Sequence, residues 1–118
     1  MHIFLTGATG HVGFAVLDAL LRGRQTVTAL VRTREGAGRV ARGGVDTIVA
    51  DMSEPGSYAE AAEACDAMIH TASERSPRRQ ELDRLVVDAL LAAAARRALL
   101  GKAACLVYTS GTWVLGDT

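Results

Sequence analysis

The stretch TGATGHVG, Thr6 to Gly13, follows the apolar run His2-Ile3-Phe4-Leu5 and places three glycines three residues apart. Glycine weakens a helix or strand that it interrupts, because it loses more backbone entropy on folding than any other residue. Glycines at this spacing therefore need a compensating role. The usual one is the close approach of a phosphate group to bare backbone.

The remainder of the chain alternates between short apolar runs and helical periodicity. Strands are predicted at Ile3–Thr6, Thr26–Val31, Asp46–Ala50, Ala67–Thr71 and Ala104–Thr109. Helices are predicted at Val12–Arg22, Tyr58–Cys65 and Glu81–Leu100, with a weak helix or loop at 33–43. Alternating helices and non-alternating apolar strands indicate a parallel sheet covered on both faces. Right-handed crossovers then predict a doubly wound α/β fold of about five strands, Rossmann-like in type.

The totals limit the class of protein. A chain of 118 residues accommodates one domain, and its thirteen basic and thirteen acidic side chains cancel. No net charge favours nucleic acid or an anionic membrane, and neither is an expected partner. The lone cysteines Cys65 and Cys105 are typical of reduced thiols in a cytoplasmic protein. The three histidines share no metal-ligand spacing, so no metal is expected.

The position of the glycine motif gives it meaning. It follows a predicted strand, begins a predicted helix and stands at the start of a β/α chain. In such a unit Gly7 makes the tight turn, Gly10 lets the backbone touch a diphosphate, and Gly13 lets the helix pack on the strand. The helix dipole adds a positive end. The alternative is a turn with a structural role only.

Four segments in order resemble one family. Besides TGATGHVG they are VADMSE (49–54), MIHTAS (68–73) and CLVYTSGTWVLGDT (105–118). Together they are similar to the short-chain dehydrogenase/reductase superfamily, in its extended or atypical branch, the NAD-dependent epimerase/dehydratase group. The resemblance implies that this chain is the amino-terminal Rossmann portion of a longer enzyme, truncated relative to the family.

The resemblance also implies a set of dinucleotide contacts. The glycine turn would hold the diphosphate, the acidic residue after the third strand the adenine end, and the end of the fourth strand the nicotinamide ribose. The expected cofactor-binding residues are Gly7, Thr9, Gly10, His11, Val12, Gly13, Arg32, Asp51, Met52, Thr71, Ala72 and Ser73. Asp51 has an alternative role as the carboxylate of a turn or helix start.

The end of the second strand bears on the choice of cofactor. A carboxylate there binds the ribose 2′-hydroxyl of NAD, whereas arginine accommodates the 2′-phosphate of NADP. In LVRTR that position is Arg32, with Arg34 nearby, and guanidinium matches phosphate geometry. NADP is therefore the preferred prediction over NAD. The alternatives for Arg32 are stacking on adenine or simple solvation.

The family's acid/base pair has no counterpart in this sequence. Members use Tyr-x-x-x-Lys with a Ser or Thr, but Tyr58 is followed four residues on by Ala62 and Tyr108 by Thr112. The sole lysine, Lys102, precedes the fifth strand. Either Ser110 or Thr112 could supply the catalytic hydroxyl of the serine loop. His70 fits a core histidine, and Asp66 and Asp83 show no carboxylate pairing.

Two functions remain open at the level of sequence. The first is the nucleotide-binding portion of an oxidoreductase, epimerase or dehydratase acting on a carbonyl or hydroxyl substrate by hydride transfer. The second is a non-catalytic sensor of NAD(P), and an unliganded structural remnant is a third, weaker reading. A homodimer would form through the 81–100 helix or the edge of the fifth strand, although that helix could equally be buried on its own sheet.

Overall fold

The computed structural model of the protein describes residues 1–71, 78–102 and 104–108. Its strands are β1 (His2–Thr6), β2 (Thr26–Val31), β3 (Val45–Val49), β4 (Ala67–His70) and β5 (Leu106–Tyr108). Its helices are α1 (His11–Arg22), α2 (Arg34–Val40), α3 (Ala59–Glu63) and α4 (Arg79–Leu99), with a 3-10 turn at Pro55–Ser57. Strands and helices alternate along the chain.

The strands form one parallel sheet in the order β3-β2-β1-β4-β5. The chain winds outward from β1 to β3 on one side, then returns to place β4 against the other side of β1. The carboxyl ends of β1 and β4 therefore flank the point where strand order reverses, the usual place for a ligand in open α/β sheets. The predicted Rossmann-like fold is confirmed.

Side chains of neighbouring strand residues enter two separate cores. Phe4 lies in the core under α3 and α4, where its ring stacks 6.2 Å from that of Tyr58. Leu5, the next residue, lies in the core under α1 and α2 with Leu17 and Val40. Strands that bury both faces must be apolar throughout, which explains their non-alternating sequences.

The element ends differ from the prediction where tertiary contacts decide them. The weak segment 33–43 forms a short helix, Arg34–Val40, because the Thr33 hydroxyl caps it by accepting from Gly36 N–H at 3.0 Å. The third helix begins at Ala59 rather than Tyr58, since Tyr58 is buried with non-helical dihedral angles. The described part of β5 runs from Leu106 to Tyr108, and the predicted last residue of this strand, Thr109, lies outside the described residues.

Helix α4 packs on the sheet through one face and leaves another exposed. Leu82, Val86, Leu90 and Ala93 are buried, whereas Leu91 is 51% exposed. The chain's own fold therefore covers the buried side of this helix, while Leu91 lies on the uncovered side. Within the described residues, no helix is long and apolar enough to cross a membrane.

Candidate functional site

The glycine turn lies at the carboxyl end of the central strand β1, beside the point where strand order reverses. Gly7 has φ +77°, a left-handed conformation that favours glycine, and Gly10 N–H donates to the Gly7 carbonyl at 3.0 Å to close the turn. Helix α1 begins directly afterwards at His11. The chain thus reverses from strand to helix within four residues.

Close contacts require glycine at the far end of the turn. A Cβ on Gly13 would lie 1.8 Å from the Gly7 carbonyl oxygen and 2.6 Å from Thr71 Oγ1, and one on Gly10 would lie 3.3 Å from the same carbonyl. Gly13 is itself buried. The first turn of α1 therefore packs against the ends of β1 and β4 more closely than any side chain permits.

The opposite side of this turn is open to solvent. Thr9, Gly10, His11 and Val12 are all exposed. The N-cap is Gly10, which has no side chain to satisfy the first amides, and the first turn, His11-Val12-Gly13, contains no carboxylate. A helix start with uncapped amides and a positive dipole end suits an anion, so these residues fit a diphosphate.

The loop after β2 brings Arg32 to the same edge of the sheet. Arg32 is exposed and follows the buried Val31 at the end of β2. A Cβ on Gly36, in the first turn of α2, would lie 3.4 Å from Thr9 Cγ2, so the α2 start packs against the glycine turn. Gly36, four residues after Arg32, and the predicted diphosphate residue Thr9 are thus neighbours.

The loop after β3 carries Asp51 and Met52. Asp51 Oδ1 accepts from both Ser53 N–H and Ser53 Oγ, each at 2.9 Å, and these bonds, helped by Arg78 and Arg32, hold the pKa of the carboxyl below its usual value. One Asp51 oxygen therefore serves a turn, the alternative that the sequence left open. The Met52 carbonyl accepts from the Tyr58 hydroxyl at 3.0 Å, which fixes the loop on the core.

The end of β4 is joined to the end of β1 by Thr71. Its N–H donates to Thr6 Oγ1 at 3.1 Å and its hydroxyl donates to the Thr6 carbonyl at 2.7 Å. Thr71 thus supports the turn from beneath, because its hydroxyl is also the atom that faces Gly13. Ala72 and Ser73, predicted to follow it in the site, lie outside the described residues, as do the candidate hydroxyls of Ser110 and Thr112.

Comparison with known proteins agrees with this geometry. Residues 7–115 match a family model described as NAD(P)H-binding. The chain belongs to the NAD(P)H-binding family. The match covers most of the chain and begins at the glycine turn, so the resemblance to the superfamily's amino-terminal, NAD(P)-binding portion is confirmed.

One relative and two solved structures are similar to this chain. A 4-hydroxy-2-methyl-3-oxo-4-farnesyl-3,4-dihydroquinoline-1-oxide ketoreductase of Stigmatella aurantiaca is 31% identical over 121 residues, covering 99% of this chain and 35% of that protein. An NADPH-dependent quinone oxidoreductase of Escherichia coli, solved with NADPH, is 25% identical with a TM-score of 0.74, covering 92% of this chain and 36% of that one. The yeast methylglyoxal/isovaleraldehyde reductase, also solved with NADPH, shares the fold at 19% identity and a TM-score of 0.69, covering 81% and 33%.

This member of the NAD(P)H-binding family spans about a third of the length of those three proteins. Its own tyrosine hydroxyls are engaged within the fold, Tyr58 with the Met52 carbonyl and Tyr108 with Asp83 Oδ2 at 2.8 Å. Lys102 is exposed just beyond α4, where its N–H donates to the Arg97 carbonyl. Among the described residues, neither tyrosine hydroxyl is therefore hydrogen-bonded to Lys102.

Sequence reasoning missed one group of contacts near the site. His70 Nε2 lies 2.9 Å from Asp83 Oδ1, and His70 Nδ1 lies 2.6 Å from Thr6 Oγ1. The prediction of a hydrogen-bonded core histidine is consistent with this burial, but Asp83 was not expected to be its partner. Asp83 is 13 positions and Thr6 is 64 positions from His70, so no local spacing could have indicated the cluster.

Proposed function

We propose that this chain binds NADP(H) in preference to NAD(H), as the nucleotide-binding part of an oxidoreductase that acts on a carbonyl or hydroxyl substrate. The observation that carries the proposal is the glycine turn, where Gly13 packs against the Gly7 carbonyl and exposes the uncapped start of α1 at the reversal of strand order. The ketoreductase relative and the neighbours solved with NADPH support it.

Each end of the dinucleotide has residues suited to it. The first amides of α1, with Thr9, His11 and Val12 around them, would hold the diphosphate. Arg32, which directly follows β2, would pair with a 2′-phosphate through charge-assisted hydrogen bonds. Asp51 and Met52 follow β3 at the same sheet edge and would border the adenine.

Residues after β4 and β5 complete the proposed site. We place Thr71, Ala72 and Ser73 near the nicotinamide ribose and assign the substrate-side hydroxyl to Ser110 or Thr112. The nicotinamide, when bound, supplies the hydride chemistry. The chain's own contribution is to bind the diphosphate and hold the ring at the carboxyl ends of β4 and β5.

A second candidate function is a non-catalytic NAD(P) sensor. What favours it is that both tyrosine hydroxyls already donate to acceptors of this chain, Tyr58 to the Met52 carbonyl and Tyr108 to Asp83. In either case we expect this chain alone to bind cofactor without turning over a carbonyl substrate.

The exposed side chains of Leu91 on α4 and Val107 on β5 offer apolar surface for a second copy of the chain. Sedimentation with and without NADPH tests whether the cofactor controls this assembly.

Calorimetric titration of the chain with NADPH and NADH tests the proposal directly. Replacing Arg32 by Asp removes a charge-assisted contact worth about 1.5–3 kcal/mol, so NADPH affinity should fall about tenfold or more while NADH affinity changes little. Arg39→Asp is the matched control, because Arg39 is an exposed arginine in the last turn of α2.

Three results would count against the proposal. Absence of binding by the unaltered chain refutes a dinucleotide site. Equal affinity for NADPH and NADH refutes the NADP preference alone. An equal loss of both cofactors in Arg32→Asp removes the role given to that guanidinium.

A further inference from the structure

A line of hydrogen bonds connects the surface of β5 with the interior of the glycine turn. It starts at the Tyr108 hydroxyl, which is bonded to Asp83 Oδ2 at 2.8 Å. It continues from Asp83 Oδ1 to His70 Nε2 at 2.9 Å and from His70 Nδ1 to Thr6 Oγ1 at 2.6 Å. It ends where Thr71 N–H donates to Thr6 Oγ1.

The carboxylate of Asp83 decides the direction of the two outer hydrogen bonds of this line. An ionised carboxylate only accepts, so the Tyr108 hydroxyl and His70 Nε2–H must both donate to Asp83. If the ring carries this one proton, Nδ1 is bare and accepts from the Thr6 hydroxyl. In keeping with this arrangement, the bond to Asp83 raises the pKa of the Tyr108 hydroxyl.

Burial makes the inner part of the line sensitive to that arrangement. His70 is 1% exposed and Thr6 is fully buried, whereas Tyr108 is 49% exposed. A buried polar atom that loses its partner costs more than a bond at the surface, because water cannot replace the partner. With the opposite tautomer, the buried Nε2 would face Asp83 Oδ1 without a proton and would lose its partner, whereas the carboxylate, 33% exposed, could still be hydrated.

The inner end of the line touches the site. Thr71 Oγ1 lies where a Cβ on Gly13 would approach it to 2.6 Å, and the same hydroxyl donates to the Thr6 carbonyl. Thr6 directly precedes Gly7. A shift of Thr6 or Thr71 would therefore move the backbone that forms the turn.

We infer that Asp83, reached by Tyr108 at its outer end, fixes the Nε2–H tautomer of His70 and thereby positions Thr6 and Thr71 beneath the glycine turn. Asp83 and His70 are positioning residues, and they act on the cofactor through Thr6, Thr71 and the turn. The part of this inference that concerns cofactor affinity rests on the proposed function.

Replacement of Asp83 in the 118-residue chain tests the inference. Asp83→Ala removes the acceptor, whereas Asp83→Asn keeps an oxygen for His70 Nε2–H and turns its amide toward Tyr108. Asp88→Ala is the matched control, since Asp88 is an exposed aspartate on the same helix. The readouts are the ¹⁵N shifts of the His70 ring, the exchange rate of the Thr71 amide without ligand, and NADPH affinity by calorimetry.

We expect the Nε2–H tautomer in the unaltered chain and its loss in Asp83→Ala. Exchange of the Thr71 amide should then accelerate about five- to tenfold and NADPH affinity should fall by a similar factor, as for the loss of one buried hydrogen bond. Asp83→Asn should restore all three readouts toward those of the unaltered chain. A merely structural role for Asp83 would lower the melting temperature without changing the tautomer.

The inference is overturned if His70 has the Nδ1–H tautomer in the unaltered chain. It is also overturned if the exchange rate of the Thr71 amide and the NADPH affinity are the same in Asp83→Ala as in Asp88→Ala. The proposed function fails separately, by a lack of NADPH binding in the unaltered chain. In that event the tautomer and exchange results still decide whether the line positions Thr71, while its role in cofactor affinity falls with the site.

Discussion

Replacement of Gly13 by Ala tests the packing on which the site depends. The added methyl would be 1.8 Å from the Gly7 carbonyl oxygen and 2.4 Å from the Gly7 carbonyl carbon. Real Cβ atoms essentially never approach another heavy atom within 3.0 Å, so the turn and α1 must separate by about 1.2 Å. Both clashing atoms belong to the backbone, and no side-chain rotation can relieve them.

The expected cost follows from that displacement. Overpacking a buried position costs about 1–3 kcal/mol, which lowers the melting temperature of a domain of this size by roughly 5–15 °C. An opened turn also misplaces the first amides of α1. NADPH affinity should therefore fall at least about tenfold, as for the loss of one charge-assisted hydrogen bond.

Gly38→Ala is the matched control. Gly38 lies inside α2 and a Cβ there would meet nothing within 4 Å. Alanine should stabilise the chain by about 0.4–1 kcal/mol, because it restricts the unfolded chain without strain in the helix. Urea unfolding followed by circular dichroism, together with calorimetric titration of NADPH, measures both effects. A Gly13→Ala variant as stable as the original chain, with unchanged affinity, would refute the close-packing argument.

Three further predictions concern groups outside the glycine turn. Burial raises the pKa of Tyr58 from 10.0 to about 12, so the free energy of unfolding should fall as pH rises between those values. Urea titrations should show this fall in the original chain and not in Tyr58→Phe. The same fall in Tyr58→Phe would contradict the prediction. The His2 N–H bonded to Asp66 lowers the pKa of its carboxyl below 3.8, so its stabilising effect is present above that value and lost at more acid pH. The stability difference between the original chain and Asp66→Asn should therefore shrink as the pH falls below 3.8, and a constant difference over that range would argue against it. A disulfide reagent should modify exposed Cys105 rapidly and buried Cys65 only at the rate of unfolding. The Cys105→Ser variant should then show only the slow phase of modification. Two fast phases in the original chain would disagree with the burial of Cys65.

The order of elements was predictable because the signals are local. The glycine spacing, the apolar strands and the helical periodicity lie within short windows of sequence. The elements that they predict are present in the structure as β1, β2, α1 and α4. The motif that begins at Gly7 also indicated the ligand class, since few other uses compensate three glycines at that spacing.

Element ends were less predictable because tertiary contacts set them. Tyr58 is not helical, because its ring is buried beside Phe4 and its hydroxyl donates to the Met52 carbonyl. The short helix α2 depends on a cap from Thr33, against the weak propensity of its glycines. At the site, Asp51 was identified as a carboxylate after β3, but only its contacts with Ser53 revealed that one oxygen serves a turn.

The sequence by itself determined the βαβ pattern, the glycine turn and the arginine that follows the second strand, because each of these is written in neighbouring residues. Only the tertiary structure decided which distant side chains meet. Parallel pairing of β1 with β4, and the packing of α4 across them, placed Thr6, His70 and Asp83 in contact although they are far apart in the chain. Hydrogen bonds of that kind depend on strand order and register, which no local pattern of residues specifies.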